Sequence, residues 1–222
     1  MKPFEAVVSA DSLRDLQAVL GPDPRTNRFD SLAQRQQRVG EYLLSDSVPY
    51  PVRVHFETAK NLYLYAWFVY RFHPVAEKHV LATLEFALRE RLAPMFPEQF
   101  GPQAKRHPTL RTLIAKAREE KLLTNIGLRV TERLARLRAE HRVSLERIRY
   151  LQSNGLTELV CDAAPPVPVP EDYAHDLLKI FEDSLPRIRN DYAHGSATLH
   201  NTVLGTFEIV TDLIAQLFVE DI

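Results

Sequence analysis

Along most of this chain the apolar positions recur at three- and four-residue steps, the spacing that gathers them on one face of an α-helix. Leu81, Leu84, Leu88 and Leu92 show it most simply. Pro74 suits a first turn and Pro94 a stop, so the pattern predicts a helix over 74–92. Glu85 and Arg89 lie four apart on it, in the favourable order for an ion pair. Leu110, Leu113, Ile114, Ala117 and Leu122 predict a shorter helix over 109–123. Val130, Leu134, Leu137, His141, Leu145 and Ile148 predict a long one over 127–151, with Arg129, Arg133, Arg136 and Arg147 mostly off its stripe. Tyr173, Leu177, Ile180, Phe181, Leu185 and Ile188 mark a further helix. Glu171-Asp172 would open it, placing negative charge at the positive helix end, and Pro186 would disturb its last turn. Leu199, Val203, Phe207, Val210, Leu213, Ile214 and Leu217 predict the final helix.

The aromatic-rich stretch His55–Phe72 favours a sheet by propensity, but its length, its alanines and Lys60 predict a buried helix. Upstream, Ser31 is an N-cap for a helix running to about Leu44, and Ser12–Leu20 predicts one short helix before the turn Gly21-Pro22-Asp23-Pro24. Four prolines in 162–170 make a stiff connection. No strand alternation, repeat or low-complexity tract stands out. The expected class is all-α, a helical bundle over 51–222 carrying an N-terminal arm or helical extension over 1–50.

Composition changes this picture little. The chain has 222 residues, 45% of them apolar, enough for one substantial core. The single cysteine, Cys161, has no internal disulfide partner, which suits a reducing compartment. No apolar leader follows a basic start, and the most apolar run, Leu62 to Val69, is too short to cross a bilayer, so the expected setting is cytoplasmic with no membrane partner. Net charge is −1, but 105–149 holds 13 Lys and Arg against 5 Glu, a local excess of eight. Two readings stay open: a basic face for a polyanion, or a helix surface balanced in space by acidic helices elsewhere.

The chemistry concentrates in Arg189-Asn190-Asp191-Tyr192-Ala193-His194-Gly195, between the last two helical patterns. Arginine stays cationic and grips a phosphate through two N–H bonds, while histidine takes or gives a proton near neutral pH. Together they are a minimal kit for acting on a phosphodiester without a metal. Each residue also has a plainer reading. Arg189 suits a helix C-terminus, and His194 a hydrogen bond at a turn. Asn190 either orients Arg189 or caps the following turn. Asp191 either pairs with Arg189 or Arg187 or is solvated. Tyr192 either stacks on a base or packs against a helix. His141 reads as a core or dimer-interface histidine, and His200 as a surface residue or an assistant to His194. His55, His73 and His79 lack metal-ligand spacing, and no phosphate-binding loop, dinucleotide fingerprint, nucleophile elbow or zinc signature is present.

The stretch resembles the Arg-x4–6-His motif of the HEPN superfamily, whose members include many metal-independent ribonucleases of prokaryotic defence and toxin systems. Asn190 after the arginine fits that family's habit. Leu84-Glu85-Phe86-Ala87-Leu88-Arg89 is similar to its central core helix, and Leu110 to Leu122 to a segment of defence-type relatives. The resemblance extends over about 54–222. It implies an endoribonuclease in which Arg189 opposes charge on the phosphate and His194 is general base or acid. RNA's own 2′-hydroxyl would attack to leave a 2′,3′-cyclic phosphate, with no cofactor and no metal ligands. It implies phage defence or stress as the setting, and RNA as the partner with Tyr192, Asp191 and Arg187 at its edge. In toxins paired with a nucleotidyltransferase antitoxin a tyrosine lies two residues after the histidine. Here that position is Ser196, which argues against that subclass. Residues five apart on a straight helix point about 140° apart, so Arg189 and His194 need either a bend or a second chain to converge. The resemblance favours a homodimer with the motif at its interface. The other classes are a non-catalytic HEPN module for RNA or nucleotide binding or dimerisation, and a helical adaptor docking a partner on Tyr63–Phe72.

Overall fold

The computed structural model describes residues 13–16, 19–26, 30–105, 107–160, 164–193 and 199–219. Among them the secondary structure is entirely helical: α1 (Leu32–Gly40), α2 (Tyr50–Tyr65), α3 (Phe72–Leu92), the single turn α4 (Pro97–Phe100), α5 (Leu110–Glu119), α6 (Arg129–Asn154), a 3-10 turn (Pro170–Tyr173), α7 (Leu177–Ala193) and α8 (Leu204–Leu217). The all-α expectation holds as a helical bundle. No helix of the described residues is long and apolar enough to cross a membrane.

The bundle is organised around α3, which packs against α2, α5, α7 and α8. Ala76, Val80, Leu81, Leu84, Ala87, Leu88 and Leu92 are completely buried, so α3 is apolar on several sides rather than one. That is the signature of a helix at the centre of a core. Phe56 from α2, Leu113 and Ile114 from α5, Leu178 from α7, and Phe207, Leu213 and Ile214 from α8 close around it. Four polar residues of α3, His73, Glu77, Thr83 and Glu85, are also buried.

Several boundaries differ from the sequence expectation. The capping box of Ser31 and Gln34 starts α1 as expected, but that helix stops at Gly40. The aromatic helix starts earlier, with Pro51 in its first turn, and ends at Tyr65. Beyond it the Trp67 carbonyl accepts from the Asp23 amide (2.8 Å) and the Thr26 hydroxyl (3.2 Å), contacts from over 40 residues away that local pattern cannot reveal. Arg35 lies over the rings of Tyr63 and Trp67, and Arg25 over Tyr70. Asp23, Arg25, Thr26 and Arg35 thus cover part of the aromatic segment that the adaptor reading needs exposed. Within Ser12–Leu20 the described residues form no helix. Glu171-Asp172 open only the 3-10 turn, where the Asp172 carboxylate accepts from the Val169 amide (2.9 Å) and pairs with Arg142 (3.0 Å). Pro186 stands inside α7, which continues to Ala193, so the first part of the motif is helical.

The long helix α6 departs most. Its buried residues are Val130, Ala135 and Ala139, while Leu137, Leu145 and Ile148 of the expected stripe are 53%, 38% and 49% exposed, and His141 is exposed. Its start is fixed by α8: Asp212 accepts from the Arg129 amide (2.8 Å) and pairs with its guanidinium (2.7 Å), and Glu208 pairs with Arg133 (2.6 Å). The two helices therefore run antiparallel, and this register brings the start of α8, at Leu204, level with Leu137. Beyond that point α6 outruns its partner and is held by the 3-10 turn, through Arg138 on the Asp172 carbonyl and Arg142 on its carboxylate.

Candidate active site

Arg189 and Tyr192 lie three residues apart on α7, close to one face of the helix. That face meets α3, and each residue finds a buried carboxylate there. Arg189 Nη2 is 3.3 Å from Glu85 Oε2. The Tyr192 hydroxyl donates to Glu77 Oε2 at 2.7 Å. Glu77 and Glu85 are eight apart on α3, two turns along one side, so the motif is pinned to the central helix at two points. An unpaired buried carboxylate is costly, and these contacts remove that cost.

Glu85 also pairs with Arg89, one turn on, so one carboxylate sits between two guanidinium groups. Asn190 Oδ1 accepts weakly from Arg189 Nη1 at 3.4 Å. The Arg189 side chain keeps 39% of its exposure. It faces a cleft of about 200 Å³ lined by Glu85, Arg89, His107, Thr109, Pro186 and Asn190, among others. A space of this size admits a phosphate group and is smaller than the sites that enclose whole nucleotides. A wider groove of about 1100 Å³ adjoins it across His107, Pro108 and Thr109 and carries Lys105, Gln99, Gln103 and Phe100.

Of the residues singled out from sequence, Arg189 and Asn190 stand together at this cleft. Asp191 and Arg187 are exposed, and neither forms an ion pair with a described residue. Tyr192 turns its hydroxyl inward to a second cluster. Its oxygen is 2.5 Å from His200 Nε2, the Thr206 hydroxyl donates to Glu77 Oε1 (2.5 Å), and His200 lies 3.2 Å from Glu77. Burial, then the bond to Glu77, pushes the Tyr192 phenol up, so it stays protonated as a donor. His200 is thus a ligand of this cluster rather than a free surface residue. His194 and Ser196 lie outside the described residues.

Sequence reasoning missed three contributors. Glu85 and Arg89 stood out only as a helix ion pair within the segment similar to a core helix, and His107 entered no candidate site. The available signal was the charged pair inside the otherwise apolar Leu84–Arg89 segment, since a buried carboxylate needs a cation from elsewhere. Among the described residues, no group of three or more His, Cys, Asp and Glu side chains is arranged to hold a metal ion. Compared with protein-family models, with curated proteins and with solved structures, the chain matches none.

Proposed function

We propose that this chain is an endoribonuclease of the HEPN type, acting on RNA without a metal. The observation that carries the reading is Arg189 at the cleft mouth, oriented by buried Glu85 and flanked by Asn190, with imidazole-bearing His107 in the same walls. Arg189 binds the scissile phosphate and opposes the charge that develops on its non-bridging oxygens. A histidine removes the proton of the neighbouring 2′-hydroxyl. The 2′-oxygen then bonds to phosphorus, the bond from phosphorus to the 5′-oxygen breaks, and a second proton donor protonates that leaving oxygen. His194, five residues after Arg189, is one of the two acid–base groups, and His107 is the other. Because His107 comes from the same chain, the cleft does not need a second copy to gain an imidazole. Prokaryotic defence or stress is the setting that the motif's resemblance implies.

The test is cleavage of a mixed RNA in EDTA by wild type, Arg189→Ala and His194→Ala. Cleavage by wild type, with both variants slowed by roughly 10²–10⁴-fold, supports the assignment. Salt-sensitive RNA binding without cleavage in all three places the chain in the non-catalytic RNA-binding class instead. Equal cleavage by all three removes the motif from the mechanism.

A further inference from the structure

The Arg189 cleft, at about 200 Å³, has room for a phosphate group and little more. The sugar and base attached to that phosphate must lie outside it. His107, Pro108 and Thr109 line both the cleft and the groove of about 1100 Å³ beside it, so the two are continuous. We propose that this groove is a nucleobase subsite that selects an adenine next to the phosphate held by Arg189. The subsite rests on the reading that Arg189 holds an RNA phosphate.

The side chains of the groove match a base. Phe100 is half-buried and edge-on to Phe96, with ring centroids 6.3 Å apart, which fixes an aromatic surface on which an unpaired base can stack. Gln99 and Gln103 are exposed, and their side chains form no hydrogen bond with a described residue. A glutamine amide offers an acceptor oxygen beside its donors. Adenine presents the complement on one edge, the N6 amino donor beside the N7 acceptor, and glutamine bonds both at once. On the same edge guanine and uracil present a carbonyl oxygen instead of the amino group. The Glu98 carboxylate, in the same wall, accepts from an amino group and repels such an oxygen. Cytosine keeps an amino group there but lacks the neighbouring ring acceptor. Lys105, exposed and without an ion pair to a described residue, supplies a cation for a further phosphate of the strand.

The turn that carries the glutamines is formed before RNA arrives. Gly101 is buried, and a Cβ there would run into the Pro97 carbonyl oxygen, so only glycine fits directly after α4. Its amide donates to that oxygen at 2.9 Å, and the Ala104 amide donates to the Gly101 carbonyl at 3.0 Å. Gln99 and Gln103 are thus held on either side of one tight turn, which lowers the ordering cost of binding.

Fluorescence anisotropy of the full-length chain with labelled hexaribonucleotides tests this, with 2′-fluoro sugars to prevent cleavage. The hexamers are uridine throughout, or carry one adenosine, guanosine or cytidine at a central position. One adenosine should tighten binding roughly tenfold over uridine, and guanosine or cytidine much less. Gln99→Ala and Gln103→Ala should each lose most of that gain. So should 7-deaza-adenosine on wild type, which removes only the N7 acceptor and changes no residue, so a folding defect cannot produce it. Arg189→Ala should weaken every hexamer alike and keep the ratio. A gain that survives both glutamine variants or the 7-deaza base, a preference for another base or none, or no binding at all would overturn the proposal. Unmodified RNA separates this from the ribonuclease reading. Cleavage without an adenosine gain leaves that reading standing and removes the subsite, and a glutamine-dependent gain without cleavage leaves the subsite standing and removes the nuclease.

Discussion

At the scale of single residues, the buried ionisable groups make the sharpest statements. His73 is fully buried between Tyr63 and Tyr70, and its Nε2 lies 3.3 Å from Arg35 Nη1. The guanidinium can only donate, so that ring nitrogen must be unprotonated. Burial first, and then Arg35, lower its pKa to about 4. Its unfolded value is higher, near the ordinary 6.5, so between those two pH values the unfolded chain binds the extra proton. Stability is therefore full above about pH 6.5 and falls as pH drops toward 4, by on the order of 3 kcal/mol from this group. Urea midpoints at pH 7 and pH 4.5 should show that drop in wild type and a smaller one in His73→Phe, which keeps the aromatic packing. At the cleft, Glu85→Gln should slow RNA cleavage while RNA binding persists, because Arg189 loses its orienting charge rather than its own. An unchanged cleavage rate would make Glu85 purely structural. Arg189 and Asn190 stood out in the sequence as candidates from their types and spacing, and both line the cleft. Glu85 was not recognised as part of it, since it meets Arg189 only through the register of α3 against α7, a fact 104 positions away in sequence.

At the scale of elements, local signals read well and partner-dependent ones did not. Ser31 was recognisable as a cap, and its hydroxyl accepts from the Gln34 amide while the Gln34 side chain accepts from the Ser31 amide. Ser31→Ala should cost about 1 kcal/mol in chemical denaturation, the usual worth of such a cap. The α3 stripe of Leu81, Leu84, Leu88 and Leu92 lies in the core as its spacing implied. Leu84→Ala there should cost about 2–5 kcal/mol, since a cavity at the centre of four packed helices has little freedom to collapse. The α6 stripe had the same periodicity, yet only its first part, Val130 and Leu134, meets the core, while Leu137, Leu145 and Ile148 face outward. Periodicity shows that a face exists, not which neighbour covers it. The 26 residues of α6 span about 39 Å and the 14 of α8 only about 21 Å, so the apolar face is longer than the helix that would shelter it. α6 runs three residues past the expected end at Leu151, to Asn154, where Gly155 adopts φ 63° and the Leu156 amide returns to the Leu151 carbonyl.

For the whole molecule, the charge excess of 105–149 resolves in favour of balance in space. Arg111 pairs with Asp183, Arg118 with Asp176 and Glu182, Arg129 with Asp212, Arg133 with Glu208, and Arg142 with Asp172. These arginines hold acidic residues of the C-terminal third against α5 and α6 and do not form an open basic face. RNA binding should accordingly have a shallow salt dependence, with a log–log slope of about −1 to −3, reflecting one to three phosphates held near Arg189 and Lys105. A slope of about −6 or steeper would mean a broad electrostatic surface that the described residues do not present. The fold class was readable from periodicity alone, whereas the pairing of charges depended on which helices lie side by side.

The central claim is that Arg189 and the cleft around it serve attack by RNA's own 2′-hydroxyl. The most direct measurement is cleavage in EDTA of one labelled oligoribonucleotide beside the same strand carrying a single 2′-deoxy residue at the cut position, with the product ends identified. The account predicts a 2′,3′-cyclic phosphate and a 5′-hydroxyl from the RNA, no cut at the deoxy position, and loss of both products in Arg189→Ala. Cutting at the deoxy position, or undiminished cutting by Arg189→Ala, would contradict it.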